Sequence, residues 1–120
     1  MIETLEGFPD NVVAVSGKGQ VTRDDYETVL IPTVEGKLAS HQKLRLYYQI
    51  GPSFEGMDPG AVWTDMKVGL EHLNRWERVA VVTDVDWIRN TMRFFSFMIP
   101  AEMRLFSVAQ GDEARSWITA

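Results

Sequence analysis

Two spacings of apolar residues alternate along this chain. Val12 to Gly17 (VVAVSG) and Arg78 to Thr83 (RVAVVT) are near-continuous β-branched runs. They predict strands, the second of them buried on both faces. The first run can continue to Val21. Leu44 to Ile50 (LRLYYQI) predicts another strand, ended by Gly51-Pro-Ser, and Glu102 to Val108 (EMRLFSV) predicts a last one. Ile2 to Glu6 predicts a short first strand. The turn residues Gly7-Phe-Pro-Asp-Asn11 leave little room before Val12, so the first two strands should pair antiparallel.

Between the strands the spacing becomes helical. Thr22 is a good N-cap and Asp25, three residues on, completes an Asp version of the capping box. Tyr26, Val29, Leu30, Val34 and Leu38 form the apolar stripe that follows. Pro32 removes a backbone donor and predicts a kink. Asp58-Pro59 reads as N-cap and first helical residue of a second helix, with Val62, Met66, Gly69 and Leu73 on one face and Trp63 and Leu70 beside it. Asp84 should cap a third helix running to Ile99 and stopped by Pro100. A closing helix covers Gly111 to Ile118.

Strands alternating with helices imply crossover units and an α/β fold. The expectation is a five-stranded mixed, mostly parallel sheet with about four helices. No repeat, linker or low-complexity stretch interrupts the pattern, so residues 1–120 read as one domain.

Composition narrows the chemistry. Twelve basic residues face 17 acidic ones, for a net charge of -5. The densest basic run, Lys37 to Arg45, is mixed with apolar residues, which disfavours nucleic acid as a partner. The absence of cysteine removes disulfides, thiolate catalysis and zinc-thiolate sites. No positive n-region opens the chain and no segment reaches the ~20 apolar residues of a membrane span. A cytoplasmic protein without an integral membrane segment is the expectation.

Candidate sites each have a plainer structural explanation. Gly17-Lys-Gly19 lacks the further residues of a phosphate loop and reads as a strand-end bulge. His41 and His72 sit near predicted helix C-termini, without the spacing of a metal site, and no cofactor or metal is expected. Ser53 lies in a predicted βα loop with no base marked for it, so turn hydrogen bonding is its expected role. Glu55, Asp58, Asp84 and Asp86 follow predicted parallel strands, where open α/β sheets place ligands. Asp58 and Asp84 already have a use as N-caps. In the segment 87–99, Trp87, Ile88, Met92, Phe95 and Ile99 can face the sheet. Phe94, Phe97 and Met98 are then left to cover a neighbouring helix, a partner, a second subunit or a lipid.

The element order, with Met57-Asp58-Pro59-Gly60 before an amphipathic helix, resembles the STAS domain of anti-sigma-factor antagonists. Over nearly its full length the chain is similar to the bacterial SpoIIAA-like, or STAS/SEC14-domain, proteins. The carrying stretches are Val21-Thr-Arg-Asp-Asp-Tyr26, Phe54-Glu-Gly through Ala61-Val-Trp63, and Trp76 through Ile88. In the STAS family the corresponding loop reads Asp-Ser-Ser-Gly or Asp-Ser-Thr-Gly, and its Ser is phosphorylated to switch partner binding. Matching Asp58 to the motif Asp puts Pro59, which has no hydroxyl, at the phosphoacceptor position.

The resemblance and the lack of a catalytic constellation together imply a non-enzymatic interaction or regulatory module. Its partner is a protein or a second copy, in a homodimer through the aromatic helix. The expected working residues are Ser53, Phe54, Glu55, Met57, Asp58, Trp63, Phe94, Phe97 and Met98. The alternative is a SEC14-like carrier of a small apolar ligand or lipid, lined by Phe54, Met57, Trp63 and Phe94–Met98. A third reading is an enzyme using Glu55 with Asp84 or Asp86.

Overall fold

A computed structural model describes residues 1–71, 73–97 and 99–120, apart from the side chains at 63, 65, 66, 68–70, 73 and 95. Five strands, β1 (Ile2–Thr4), β2 (Val12–Val21), β3 (Leu44–Met57), β4 (Trp76–Thr83) and β5 (Glu102–Phe106), lie in one sheet in the order 1-2-3-4-5. β1 runs antiparallel to β2, as expected, with Ile2 opposite Gly17 and Thr4 opposite Val15. All other pairs are parallel.

Strand alternation divides the core into two faces. Val13 and Val15, Leu44, Tyr48 and Ile50, and Val79 and Val81 point to one side. Tyr26, Leu30 and Val34 from the first helix, Ala61 of α3 (Pro59–Glu71) and Ile88 of α4 (Asp86–Ser96) cover them. The other side carries Val12, Ala14, Tyr47, Ala80, Val82 and Phe106, covered by Ala114 and Ile118 of α5 (Gly111–Thr119). So all three crossover helices share a face and the closing helix has the opposite face to itself.

The first helix has three sections: α1 (Arg23–Asp25), a wide turn over Tyr26–Leu30, and α2 (Ile31–Leu38). The capping box is present, with Asp25 accepting from the Thr22 N–H and the Thr22 hydroxyl accepting from the Asp25 N–H. Pro32 does not simply kink the helix. Its missing N–H and its ring disturb the preceding turn, and the Ile31 N–H reaches back five residues to the Tyr26 carbonyl. The Thr33 hydroxyl also donates to the Val29 carbonyl.

Several elements differ from expectation. β3 does not end at Ile50. It passes through Gly51-Pro-Ser and runs beside β2 to Met57, pairing Gly19 with Phe54 and Val21 with Met57. β4 stops opposite Ile50. Beyond that point only β2 pairs with the strand, and its register shifts let Pro52 sit where no ladder donor is required. Gly19 is in these shifts at φ +55, so the expected bulge is confirmed at a position suited to glycine. Asp84 is not the cap of α4. Its carboxylate accepts the Val108 N–H at 3.1 Å, tying the end of β4 to the turn before α5. The Val85 carbonyl instead takes the first helical bond of α4, from Arg89. β5 ends at Phe106 rather than Val108, because Ser107 and Gln110 form a capping box for the next turn.

Candidate functional site: the β3–α3 turn and the outer face of α4

The C-terminal ends of β2 and β3 deliver the chain to the start of α3. The Asp58 N–H donates to the Val21 carbonyl at 2.9 Å, which continues the ladder one step past the strand. The Asp58 carbonyl accepts from Ala61 and Val62. That makes Asp58 the N-cap residue and Pro59 the first helical one, where a missing N–H breaks no bond.

The Asp58 carboxylate accepts from the Gln20 side chain at 2.7 Å. This bond joins the tips of β2 and the β3–α3 turn and holds the turn in one orientation. The approach is close throughout. A Cβ at Gly56 would lie 3.0 Å from Gln20 Oε1, and one at Gly60 would lie 3.4 Å from the Arg23 side chain. The turn is therefore clamped between β2 and α1. Beneath it, the capping box holds the Asp25 carboxyl below its ordinary value. Burial alone would raise it, but the hydrogen bonds from Thr22 and the nearby N-terminal ammonium outweigh burial.

The residues singled out from the sequence fall in three groups. Phe54 and Met57 are half-buried and pack against the helix-side core, while Asp58 is bonded to Gln20. Ser53 and Glu55 are exposed in the extended part of β3. Ser53 is thus in a strand and not a turn, and its hydroxyl has no hydrogen bond among the described residues, contrary to its expected role. Phe94 and Phe97 lie outward on α4 or just past its end, at 66% and 91% exposure. The Trp63 side chain and Met98 are outside the described residues, as is His72.

Trp87 departs from its expected place. It is 45% exposed, whereas Ile88 is buried and Met92 and Ile99 pack on the core. The inward arc of α4 is centred between Ile88 and Met92, and Trp87 lies about 100° round the helix from Ile88. Arg89 is equally committed to structure, donating to the Thr83 and Phe106 carbonyls and stitching β4 to β5.

At the opposite end of the strands, before β2 and β3 begin, the fold brings together residues that sequence spacing did not connect. His41 Nε2 lies 2.7 Å from Asp10, and Lys37 donates to the Asp10 carbonyl. The His41 hydrogen bond, with the Lys37 charge, holds the Asp10 carboxyl below its ordinary value. Gln20 is the site residue the sequence concealed. It is 38 positions from Asp58 and belongs to no motif, so only the β2–β3 register reveals it. Among the described residues no three His, Asp or Glu side chains converge as a metal site. Among the described residues no helix is long and apolar enough to cross a membrane.

The SpoIIAA-like family model matches residues 12–119, from β2 to the last residue of α5. The chain belongs to the SpoIIAA-like family. Its fold is similar to the crystal structure of an uncharacterized DUF3478-family protein with a SpoIIAA-like fold from Shewanella loihica PV-4. The TM-score is 0.73 at 25% identity, over 98% of this chain and 92% of that one. No curated protein matches it. The STAS-type architecture expected of the sequence is therefore present: a mixed five-stranded sheet, one antiparallel pair, and helices on both faces.

Proposed function

We propose that this SpoIIAA-like chain is a non-catalytic protein-interaction or regulatory module, with the β3–α3 turn and the outer face of α4 as its working surface. One observation carries the reading. The first residue of α3 after the N-cap Asp58 is Pro59, so the position matching the phosphoacceptor of the STAS anti-sigma-factor antagonists has no hydroxyl. Neighbouring hydroxyls do not replace it. Ser53 lies in β3, and Thr64 is buried with its hydroxyl donating to the Gly60 carbonyl. Binding at this turn is then constitutive, without control by serine phosphorylation.

The carboxylates support a non-catalytic reading. Asp58 is engaged by Gln20 and Asp84 by the Val108 N–H, so two of the four candidates already serve as structural acceptors. General acid or base work needs a carboxyl aimed at a substrate. The large exposed apolar residues Trp87, Phe94 and Phe97 suit a docking surface.

A second reading, an apolar-ligand carrier, is favoured by Trp76. Its indole N–H is buried with no acceptor among the described residues. A lone buried donor of this kind orients a ligand in an otherwise apolar site. Native mass spectrometry of the purified protein separates the two. The interaction module predicts masses at whole multiples of the chain, without adduct or phosphate. A co-purified organic molecule, lost in Trp76→Phe, would establish the carrier instead. A phosphate within residues 53–64 would overturn the unswitched turn.

A further inference from the structure

The outer face of α4 has three rows of residues, each a pair seven positions apart and so stacked along the helix. Asp86 and Arg93 form one flank, Trp87 and Phe94 the other, and Asn90 and Phe97 run between them. Asp86, Trp87, Asn90, Arg93, Phe94 and Phe97 are all exposed. Neither Asp86 nor Arg93 has an ion-pair partner among the described residues. The third charged side chain of α4, Arg89, is already spent on the Thr83 and Phe106 carbonyls.

We propose that this face pairs with the same face of a second copy of the chain, antiparallel, with the two-fold axis beside Asn90. The inference rests on the interaction-module reading and names its partner. A two-fold axis perpendicular to the helices keeps each flank on its own side and reverses its order. Asp86 of one copy then lies opposite Arg93 of the other, and Trp87 opposite Phe94, with each contact made twice. Parallel pairing, about an axis along the helices, would exchange the flanks and set the Asp86–Arg93 row against the Trp87–Phe94 row, leaving both charges without a charged partner in the interface. Charge and aromatic rows thus select the same orientation independently. Phe97 lies beyond the symmetric centre and reaches past the partner helix's first turn. An interface built on an 11-residue helix is small, so the dimer forms at micromolar concentration or above.

Charge reversal tests this arrangement. Asp86→Arg leaves two facing cations across the axis, and Arg93→Asp leaves two facing anions. Each variant alone should lose self-association by about tenfold or more in sedimentation velocity, with its circular dichroism unchanged. An equimolar mixture should recover a heterodimer, because both contacts are again complementary. Wild-type protein that stays monomeric at every concentration overturns the inference. So do single variants that dimerise like wild type, which would place the interface elsewhere or make it parallel. Should either reversal disturb folding, Asn90→Cys provides a second test in a chain that has no other cysteine. A short bismaleimide should link it to its own copy, and failure to cross-link above the dimerisation concentration overturns the axis position. A monomeric result with a clean, adduct-free mass removes the dimer and leaves the interaction-module reading standing, whereas a bound organic molecule removes that reading.

Discussion

The two faces of the sheet reach similar burial by different means. The helix side is a broad aliphatic and aromatic layer covered by three crossover helices, with buried residues from β1 to β4 and half-buried Met103 and Leu105 of β5 packed against them. The α5 side is narrow. Its strands present smaller residues such as Ala14, Ala80 and Val82, and a single helix of nine residues covers them. Polar groups hold that helix in place. Arg45 donates to the carbonyls of Ile118 and Ala120, and Arg78 donates to that of Trp117. Arg78 and Arg104 also lie over the Trp117 ring at 5.3 and 4.9 Å, and Arg115 over Phe8 at 4.4 Å. Arg45 and Arg78 satisfy the orphan carbonyls at the end of α5 and favour the negative end of its dipole. A layer with many helices coheres by area, whereas a lone helix needs directional anchors.

Truncating each face should separate the two designs. Leu44→Ala, at a fully buried position on the helix side, should cost about 3–4 kcal/mol and lower the protection of all core amides together in hydrogen exchange. Ile118→Ala should cost about 3 kcal/mol, but part of the loss should appear as local opening. The amides of α5 should exchange fast while those of β2 to β4 stay protected. Uniform loss of protection in both variants would erase the distinction.

Removing an anchor tests the polar side alone. Arg78→Ala should cost about 1–2 kcal/mol, from its bonds to the Trp117 and Ala120 carbonyls and one cation–π contact, and should accelerate α5 exchange selectively. Global destabilisation without faster α5 exchange would count against the anchoring role. The smallest effect should come from a polar device on the helix side, the Thr22–Asp25 capping box. Asp25→Asn should cost about 1 kcal/mol at pH 7, read from urea midpoints. Its carboxyl titrates below the ordinary 3.8 in the folded chain, so the unfolded chain takes up the proton first as pH falls. The stabilisation is complete above that value and is lost as pH drops through the lower folded value. The gap between wild type and variant should therefore close in acid.

What the sequence made legible was local. Thr22 with Asp25, and Asp58 with Pro59, announce helix starts because each cap is decided within four residues. The β2 and β4 runs are unmistakable because burial on both faces leaves no polar alternation. Long-range choices were hidden. Gly51-Pro52 looks like a strand end, and only the presence of β2 alongside lets the strand continue. Asp84 has the right identity for a cap, but its chosen donor is 24 positions away. Ser53 changes role once β3 is lengthened. At the candidate site the Asp58–Pro59 step was readable, whereas Gln20 and the closeness of Arg23 depend on register.

The strand order 1-2-3-4-5 also sets a timetable. During synthesis each new crossover unit can dock beside the one just completed, so the helix-side layer grows from local contacts as the chain emerges. Apart from what Leu5 and Phe8 shield, the surface of Ala14, Tyr47, Ala80 and Val82 has no cover until residues 111–119 have been made. A nascent chain stalled before that point would present a nearly finished sheet with one side open, and chaperones would meet it there.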